Sequence, residues 1–411
     1  MPIKQNQKIP LLFRQTENNR FTMPVLLNVL ERNELDKHFN IQLIDSYQKL
    51  QAKLAAVGPT LIAYSFMTPH LVEVYREITN LRKMINSQSL IIAGGPHVVG
   101  DPKGTQKLGF DVISNGEGEV TLPQICEAFL EKGVEIRGNV FSNDKRISLN
   151  DSMPVSKTVP MMSPLEITRG CHWHCQFCQT SQIKPRYRSM ESIHEYLDEL
   201  VRRNYLLRVG FICPSGFEYG AEKPGQLHPE LLEEILRMAK ERKIRFIEYG
   251  IFPSELRPNT VRKDLLKLIK KYCANQKVTI GAQSGSDTVL KRLKRGHTTQ
   301  DIVQAAIHSR EVGLTPLLDF IVGFPGETEE EQIQTLELAK HLYQKYHART
   351  QMHFFIPLSG TPLENQTPTF LSKRIKKMLE KAHHAGVCTH WWKEGMALSK
   401  KIVDFQKQFV F

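Results

Sequence analysis

Ile167-Thr168-Arg169-Gly170-Cys171-His172-Trp173-His174-Cys175-Gln176-Phe177-Cys178 puts three cysteines on one short segment, with three residues between the first pair and two between the second. Three thiolates at that spacing can each hold one iron of a [4Fe–4S] cluster and leave the fourth iron open to a small molecule. Structural zinc normally takes four ligands, the second pair at some distance. His172 and His174 lie within the same tight turn, where a tetrahedron closes poorly. An odd group of cysteines in a chain without a recognisable signal peptide does not read as a disulfide framework. An iron with a free coordination position points to chemistry rather than electron storage.

Outward from this loop, strands and helices alternate. Leu165 to Thr168, Arg208 to Cys213, Arg245 to Tyr249, Val278 to Ala282, Pro316 to Val322 and Gln351 to Ile356 read as six strands with helical segments between them, the pattern of a parallel β/α array. In barrels of this kind the working residues sit at the carboxyl ends of the strands. The cysteine loop directly follows the first of them.

Upstream, Ile9 to Phe13, Ile41 to Ile44, Thr60 to Phe66, Ser89 to Ala93 and Phe110 to Ser114 read as five strands. Helices are predicted near Met23 to Arg32, Tyr47 to Ala55, Pro69 to Met84 and Gly118 to Lys132. The sum is an α/β chain whose amino-terminal part is a doubly wound, Rossmann-like domain. Ligands of such sheets bind beyond the carboxyl ends of the strands. Those ends are Ser65-Phe66-Met67-Thr68, Gly94-Gly95-Pro96-His97 and Asn115-Gly116-Glu117-Gly118-Glu119. Glycine there lets backbone approach a ligand closely, although it is also ordinary turn chemistry. Val134 to Ile147 is predicted as a closing hairpin, and Asp151 to Pro164 as a linker passing over the cluster face. Three domains are expected: residues 1–150, 151–357 and a small helical carboxyl-terminal extension, 358–411. Its amphipathic helix is predicted at Ser372 to His384, followed by Cys388-Thr389-His390-Trp391-Trp392. Adjacent tryptophans cannot both face one helix core. Cys388 reads as either a small buried apolar residue or a chemical group.

The cysteine spacing, with Phe177 before the last cysteine, resembles the radical S-adenosylmethionine (SAM) superfamily. The strand ends Gly-Gly-Pro-His and Gly-Glu-Gly-Glu ahead of it resemble the cobalamin-binding members, so the likeness covers most of the chain. The resemblance implies a partial (β/α)6 radical SAM barrel, with Cys171, Cys175 and Cys178 as cluster ligands and SAM on the free iron. It implies Phe177, Gln283, Ser284, Ser254, Glu255, Arg257 and Gly323 around SAM. Ser65, Met67, Gly94, Gly95, His97, Gly116, Glu117 and Gly118 are implied around cobalamin. The Asp-x-His-x-x-Gly motif of other cobalamin proteins is absent, so His97 is expected to line the loop or cap a turn rather than ligate cobalt. Met67 and Tyr64 are alternatives near the lower face. Where relatives carry an acidic turn after the second strand, Pro214 and Ser215 stand instead. Arg186 and Arg188 read as an anion site or as surface arginines.

The implied activity is C-methyl transfer. One SAM supplies a methyl group through methylcobalamin, and a second yields a 5′-deoxyadenosyl radical that abstracts hydrogen from an unactivated carbon. The expected substrate is a peptide glutamine or a small metabolite, with a flavodoxin- or ferredoxin-type one-electron reductant. Rearrangement or ring contraction without methyl transfer, tRNA methylthiolation and a non-enzymatic sensor remain alternatives. At 411 residues the chain exceeds one compact core. No apolar run approaches a membrane span, so no membrane partner is expected and the chain reads as cytoplasmic. Its formal charge of +12 can attract nucleic acid. Much of that charge lies on helical segments such as Lys373-Arg374-Ile375-Lys376-Lys377, where a solvated face is the simpler reading, and nucleic acid is not the expected partner.

Overall fold

The computed structural model describes residues 8–54, 58–143, 146–159 and 164–408. Its first unit is a six-stranded, wholly parallel sheet: β1 (Ile9–Arg14), β2 (Phe39–Ile44), β3 (Leu61–Ser65), β4 (Leu90–Gly94), β5 (Val112–Asn115) and β6 (Val140–Ser142), in the order β2-β1-β3-β4-β5-β6. The strands are near-continuous apolar runs because both faces are covered. Leu11 and Phe13 of β1 pack on one side with helices Met23–Arg32 and Gly118–Lys132, while Leu12 points to the other side with helix Leu71–Leu81. The order reverses between β1 and β3, which opens a crevice at their carboxyl ends. There Asn19 is buried and donates to the carbonyls of both Arg14 and Ser65.

Residues 134–147 correct the predicted hairpin. Gly133–Ile136 form a turn of 3-10 helix, and Val140–Ser142 join β5 as a parallel edge strand. The turn-forming glycines 133 and 138 gave a hairpin-like signal, but they reverse the chain before β6 rather than between two paired strands. Residues 144 and 145, and residue 55 at the end of the predicted second helix, lie outside the described residues. The described part of the linker packs on helix Met23–Arg32. Glu31 accepts from Ser156 Oγ and from the Lys157 and Thr158 amides, and Asn28 bonds Val155 O and Met153 N. Residues 160–163 lie outside the described residues.

The second unit holds β7 (Leu165–Glu166), β8 (Thr168–Arg169), β9 (Arg186–Tyr187), β10 (Arg208–Ile212), β11 (Phe246–Glu248), β12 (Lys277–Gln283), β13 (Thr315–Val322) and β14 (Arg349–Phe354). The strands β7, β10 and β11 form one parallel sheet and β12, β13 and β14 another. A parallel bridge between Leu256 and Ile280 joins them into a six-stranded open barrel. Alternate residues, among them Ile280, Leu318, Phe320 and Met352, are buried against the outer helices. Their neighbours Gly281, Asp319 and His353 therefore point to the concave side.

One detail departs from a single first strand. After β7 the chain forms β8, which pairs antiparallel with β9 through Thr168–Tyr187 and Arg169–Arg186. This two-residue ribbon closes the base of the cysteine loop.

The carboxyl-terminal extension contains helices Lys373–His384 and Trp391–Gln408. Trp392 is fully buried while Trp391 is 47% exposed, and Cys388 is buried in the barrel's apolar core. The last helix also reaches the first unit, where Phe405 meets Tyr75 edge-on with ring centroids 5.1 Å apart.

Candidate functional site

A cavity of about 740 Å³ lies between the two units, a size within the usual span of small-molecule and cofactor pockets. The first unit contributes the carboxyl ends of β1, β3, β4 and β5, including Ser65, Gly94, Gly95, Gly116, Glu117 and Gly118. The barrel side contributes Glu166, Arg169, Gln179, Gln182 and Ile183. Gly95 is glycine for a steric reason: its φ is +97°, and a Cβ would stand 2.7 Å from Phe66 N. Backbone, not side chain, thus forms this wall.

Met67 and His97 are not among the residues lining this cavity. Met67 borders a smaller neighbouring pocket. The His97 ring is buried and stacked on Phe66, and its Nδ1 lies 3.1 Å from Thr68 Oγ1 and 3.0 Å from Ser359 Oγ. Burial lowers its pKa to about 4, keeping the ring neutral. His97 therefore ties the first unit to the loop after β14. Tyr64 lines the cavity, but its hydroxyl donates to Glu77 Oε2 at 2.9 Å.

An ion network crosses the cavity wall. Arg169 contacts Glu119 at 2.6 Å and Glu166 at 2.5 Å, and Arg186 pairs with Glu117. Burial acts to raise Glu119, but Arg169 outweighs it and holds that carboxyl below its usual range. Arg188 is buried and spent on Glu166 O and Ser192 Oγ. The sequence allowed both arginines an anion-binding role; Arg188 is committed to structural bonds, whereas Arg186 lines the cavity with its Nε and Nη1 buried and unpartnered.

The cysteine loop is braced by arginines that lie far along the chain. Arg295 Nη1 is 3.1 Å and Arg257 Nη1 3.8 Å from Cys175 Sγ. Burial acts against a charged thiolate, yet these guanidiniums hold the Cys175 thiol below its usual pKa. Burial pushes Cys171 up to about 11 and raises Cys178 as well. Among the described residues no three His, Cys, Asp or Glu side chains converge on a single metal ion. A cluster that meets each thiolate with a different iron does not require such convergence, so the donor set fits it. His172 is not free to help, since its Nε2 bonds Ala221 O at 2.7 Å.

Around that loop the SAM candidates divide. Arg257 is buried, lies 3.9 Å over the Trp173 ring and donates to Arg295 O. Burial and then Arg295 depress its pKa to about 10. The Nε atoms of both arginines are buried without a partner, a pair of donors suited to a carboxylate. Gln283 sits at φ +69° with its Oε1 buried and unpartnered. Phe177 packs on Phe324 at 5.4 Å.

Ser254 and Ser284 are instead turn staples. Ser254 Oγ bonds Gly250 N and Ile251 O, and Ser284 Oγ bonds Ser286 N and lies 3.3 Å from Thr335 Oγ1. Gly323 has φ +85° with Phe354 2.3 Å from a would-be Cβ, and its amide donates to Glu327 Oε2 at 2.5 Å. Glu327 also accepts from Phe324 N at 3.2 Å. It is 2% exposed, and burial raises its pKa to about 7. Glu218, in the turn thought to lack an acid, accepts from Trp173 Nε1 and Gly225 N. It steadies the cysteine loop from the side. Arg295 went unrecognised because nothing local in Arg295-Gly296-His297 signals a thiolate 120 residues away.

Residues 165–339 match the family model of the radical SAM superfamily, and residues 24–126 match that of the B12 binding domain. An uncharacterized methyltransferase of Pyrococcus horikoshii is 27% identical over 74% of this chain and 68% of its own. The ribosomal protein uS12 methylthiotransferase RimO of Caldanaerobacter subterraneus subsp. tengcongensis is 34% identical, over 42% of this chain and 39% of its own. Among solved structures, the radical SAM methyltransferase TsrM from Kitasatospora setae superposes with a TM-score of 0.60 at 16% identity, covering 87% of this chain and 77% of that one. The cobalamin-dependent radical SAM enzyme OxsB gives 0.58 at 16% identity, over 82% and 52%. At that identity the two share the fold. Among the described residues no helix is long and apolar enough to cross a membrane. With a B12 binding domain leading into a radical SAM barrel across one shared cavity, the chain is a cobalamin-dependent radical SAM enzyme.

Proposed function

We propose that the enzyme is a C-methyltransferase acting on an unactivated carbon of a peptide or small molecule. The observation that carries this reading is the side chain next to the last cluster cysteine. Gln179 Nε2 donates to Pro96 O at 3.0 Å and to Ser359 O at 2.6 Å, and Gln179 lines the cavity between the units. The cysteine loop and the Gly94–His97 loop therefore touch, so groups held by each face a common space.

When bound, the cluster with SAM supplies a 5′-deoxyadenosyl radical, and cobalamin supplies a transferable methyl group. Cys171, Cys175 and Cys178 would hold the cluster, and Ser65, Gly94, Gly95, Gly116, Glu117 and Gly118 the corrinoid. Arg257 and Arg295 supply positive charge at Cys175 and free N–H donors for an anionic SAM group. The Arg169 network braces the wall beside the cavity. A methyltransferase name among the relatives supports the same reading. The methylthiotransferase relatives favour a second cluster-based chemistry less well here. The first unit contains one cysteine, Cys126, which is fully buried in its apolar core.

Anaerobic reconstitution tests the proposal. Iron and cobalamin should load together, and SAM with a one-electron reductant should yield 5′-deoxyadenosine and transfer deuterated methyl to a substrate. Cys175→Ala should abolish deoxyadenosine formation; turnover retained in that variant would contradict the assignment.

A further inference from the structure

On the concave side of the barrel Arg257 and Arg295 lie against Cys175. Within electrostatic reach of Arg295, Glu255, Asp319 and His353 come together from three separate elements. Leu256 pairs with Ile280 and faces the outer helices, so Glu255 faces inward beside β12. Asp319 lies mid-strand on β13, with its alternation partners Leu318 and Phe320 buried outward.

Asp319 is 9% exposed, and its Oδ1 is buried without a hydrogen bond. Its nearest basic neighbour is His353, whose Nε2 stands 3.7 Å away, beyond hydrogen-bond reach, on a half-buried ring beside Trp391. A second, independent acceptor points the same way. Gln283 lies on the neighbouring strand and is 8% exposed; its amide folds back over Gly281, with Nε2 2.8 Å from where a Gly281 Cβ would stand. Its Oε1 is also buried and unpartnered. Burial and then Asp319 push Glu255 up to about 7, against the opposing pull of His353 and Arg295.

A buried carboxylate oxygen with no donor is costly, and folds retain such groups where a ligand completes them. A single neutral donor would satisfy one acceptor and leave the two carboxylates repelling each other. A nitrogen cation satisfies both. We propose that Glu255, Asp319 and Gln283 form the substrate's recognition site, and that the methylated molecule presents an ammonium or guanidinium group to them. This rests on the methyltransferase reading and adds the substrate's charge class.

The test uses the full chain reconstituted with cluster and cobalamin and saturated with S-adenosylhomocysteine. N-acetyl-lysine methylamide and N-acetyl-arginine methylamide are titrated calorimetrically beside their neutral counterparts, the norleucine and citrulline methylamides. One cation should bind at least about tenfold tighter than its neutral counterpart, and the pair identifies which nitrogen is preferred. Asp319→Asn should erase that difference while leaving S-adenosylhomocysteine affinity unchanged. Equal binding of charged and neutral probes, no binding of either cation, or a matching loss of S-adenosylhomocysteine affinity in Asp319→Asn would overturn the proposal. Mass spectrometry of cells with and without the gene separates it from its premise. A product heavier by one methyl and carrying a basic nitrogen supports both, and one lacking a basic nitrogen overturns only the charge assignment. If 5′-deoxyadenosine forms and no product gains a methyl, methyl transfer falls while the titration still decides the cation site.

Discussion

Replacing Glu327 separates two roles of one carboxylate, the hydrogen bonds that close the turn after β13 and the cost of burying a charge. In Glu327→Ala, the amides of Gly323 and Phe324 lose their acceptor in a buried place. At about 1–3 kcal/mol for each unsatisfied group, the loss is on the order of 2–6 kcal/mol. Glu327→Gln keeps an oxygen for both amides and removes the ionisation. The folded-state pKa of Glu327 is raised from 4.5 to about 7. Its proton therefore stabilises the fold at low pH, and that contribution is lost as pH rises from about 4.5 through about 7, by roughly 3 kcal/mol in all. Urea unfolding followed by tryptophan fluorescence reads this unit, since the three tryptophans, Trp173, Trp391 and Trp392, all lie in the barrel or its terminal extension. At pH 5 the Ala variant should unfold at markedly lower urea than the wild type, with Gln close to wild type. By pH 8 Gln should match or exceed the wild type. Equal midpoints for Ala and Gln, or a difference between wild type and Gln that does not change with pH, would refute the reasoning.

Arg169→Met should deprive Glu119 and Glu166 of their direct ion-pair partner, costing about 3 kcal/mol; thermal melts and cobalamin retention on gel filtration should both fall. Phe405→Ala should free the end of the last helix from Tyr75, giving faster limited proteolysis near residue 400 with little change in barrel melting. His97 is neutral and held by two hydroxyls, so ¹⁵N-histidine labelling should leave the electron paramagnetic resonance of bound cob(II)alamin unchanged. A changed nitrogen splitting would place a histidine on cobalt.

Much of the frame was legible because parallel strands buried on both faces are written as short apolar runs, as in Leu61–Ala63 and Leu90–Ala93. The cysteine loop was legible because its three cysteines fall within one stretch of eight residues, 171–178. What was missed is non-local or small. The β8–β9 ribbon is two residues long on each side and has no periodicity to read. Arg295 and Glu218 act on the cysteine loop from remote turns. The helix Trp391–Gln408 mixes its apolar positions with lysines and serine because it packs on two different units, so no single stripe emerges. Ser254 and Ser284 follow strand ends as ligand-binding residues do, but their hydroxyls close local turns, a choice made by backbone geometry.

The hydrogen bonds of His97 and Thr68 with Ser359, together with Phe405 on Tyr75, stitch the end of the chain back onto its beginning. Grafting the corrinoid module onto another barrel would thus require transplanting the segment after β14 along with it. A recombination point placed between residues 142 and 165 alone would sever the seam on which the alignment of the two halves depends.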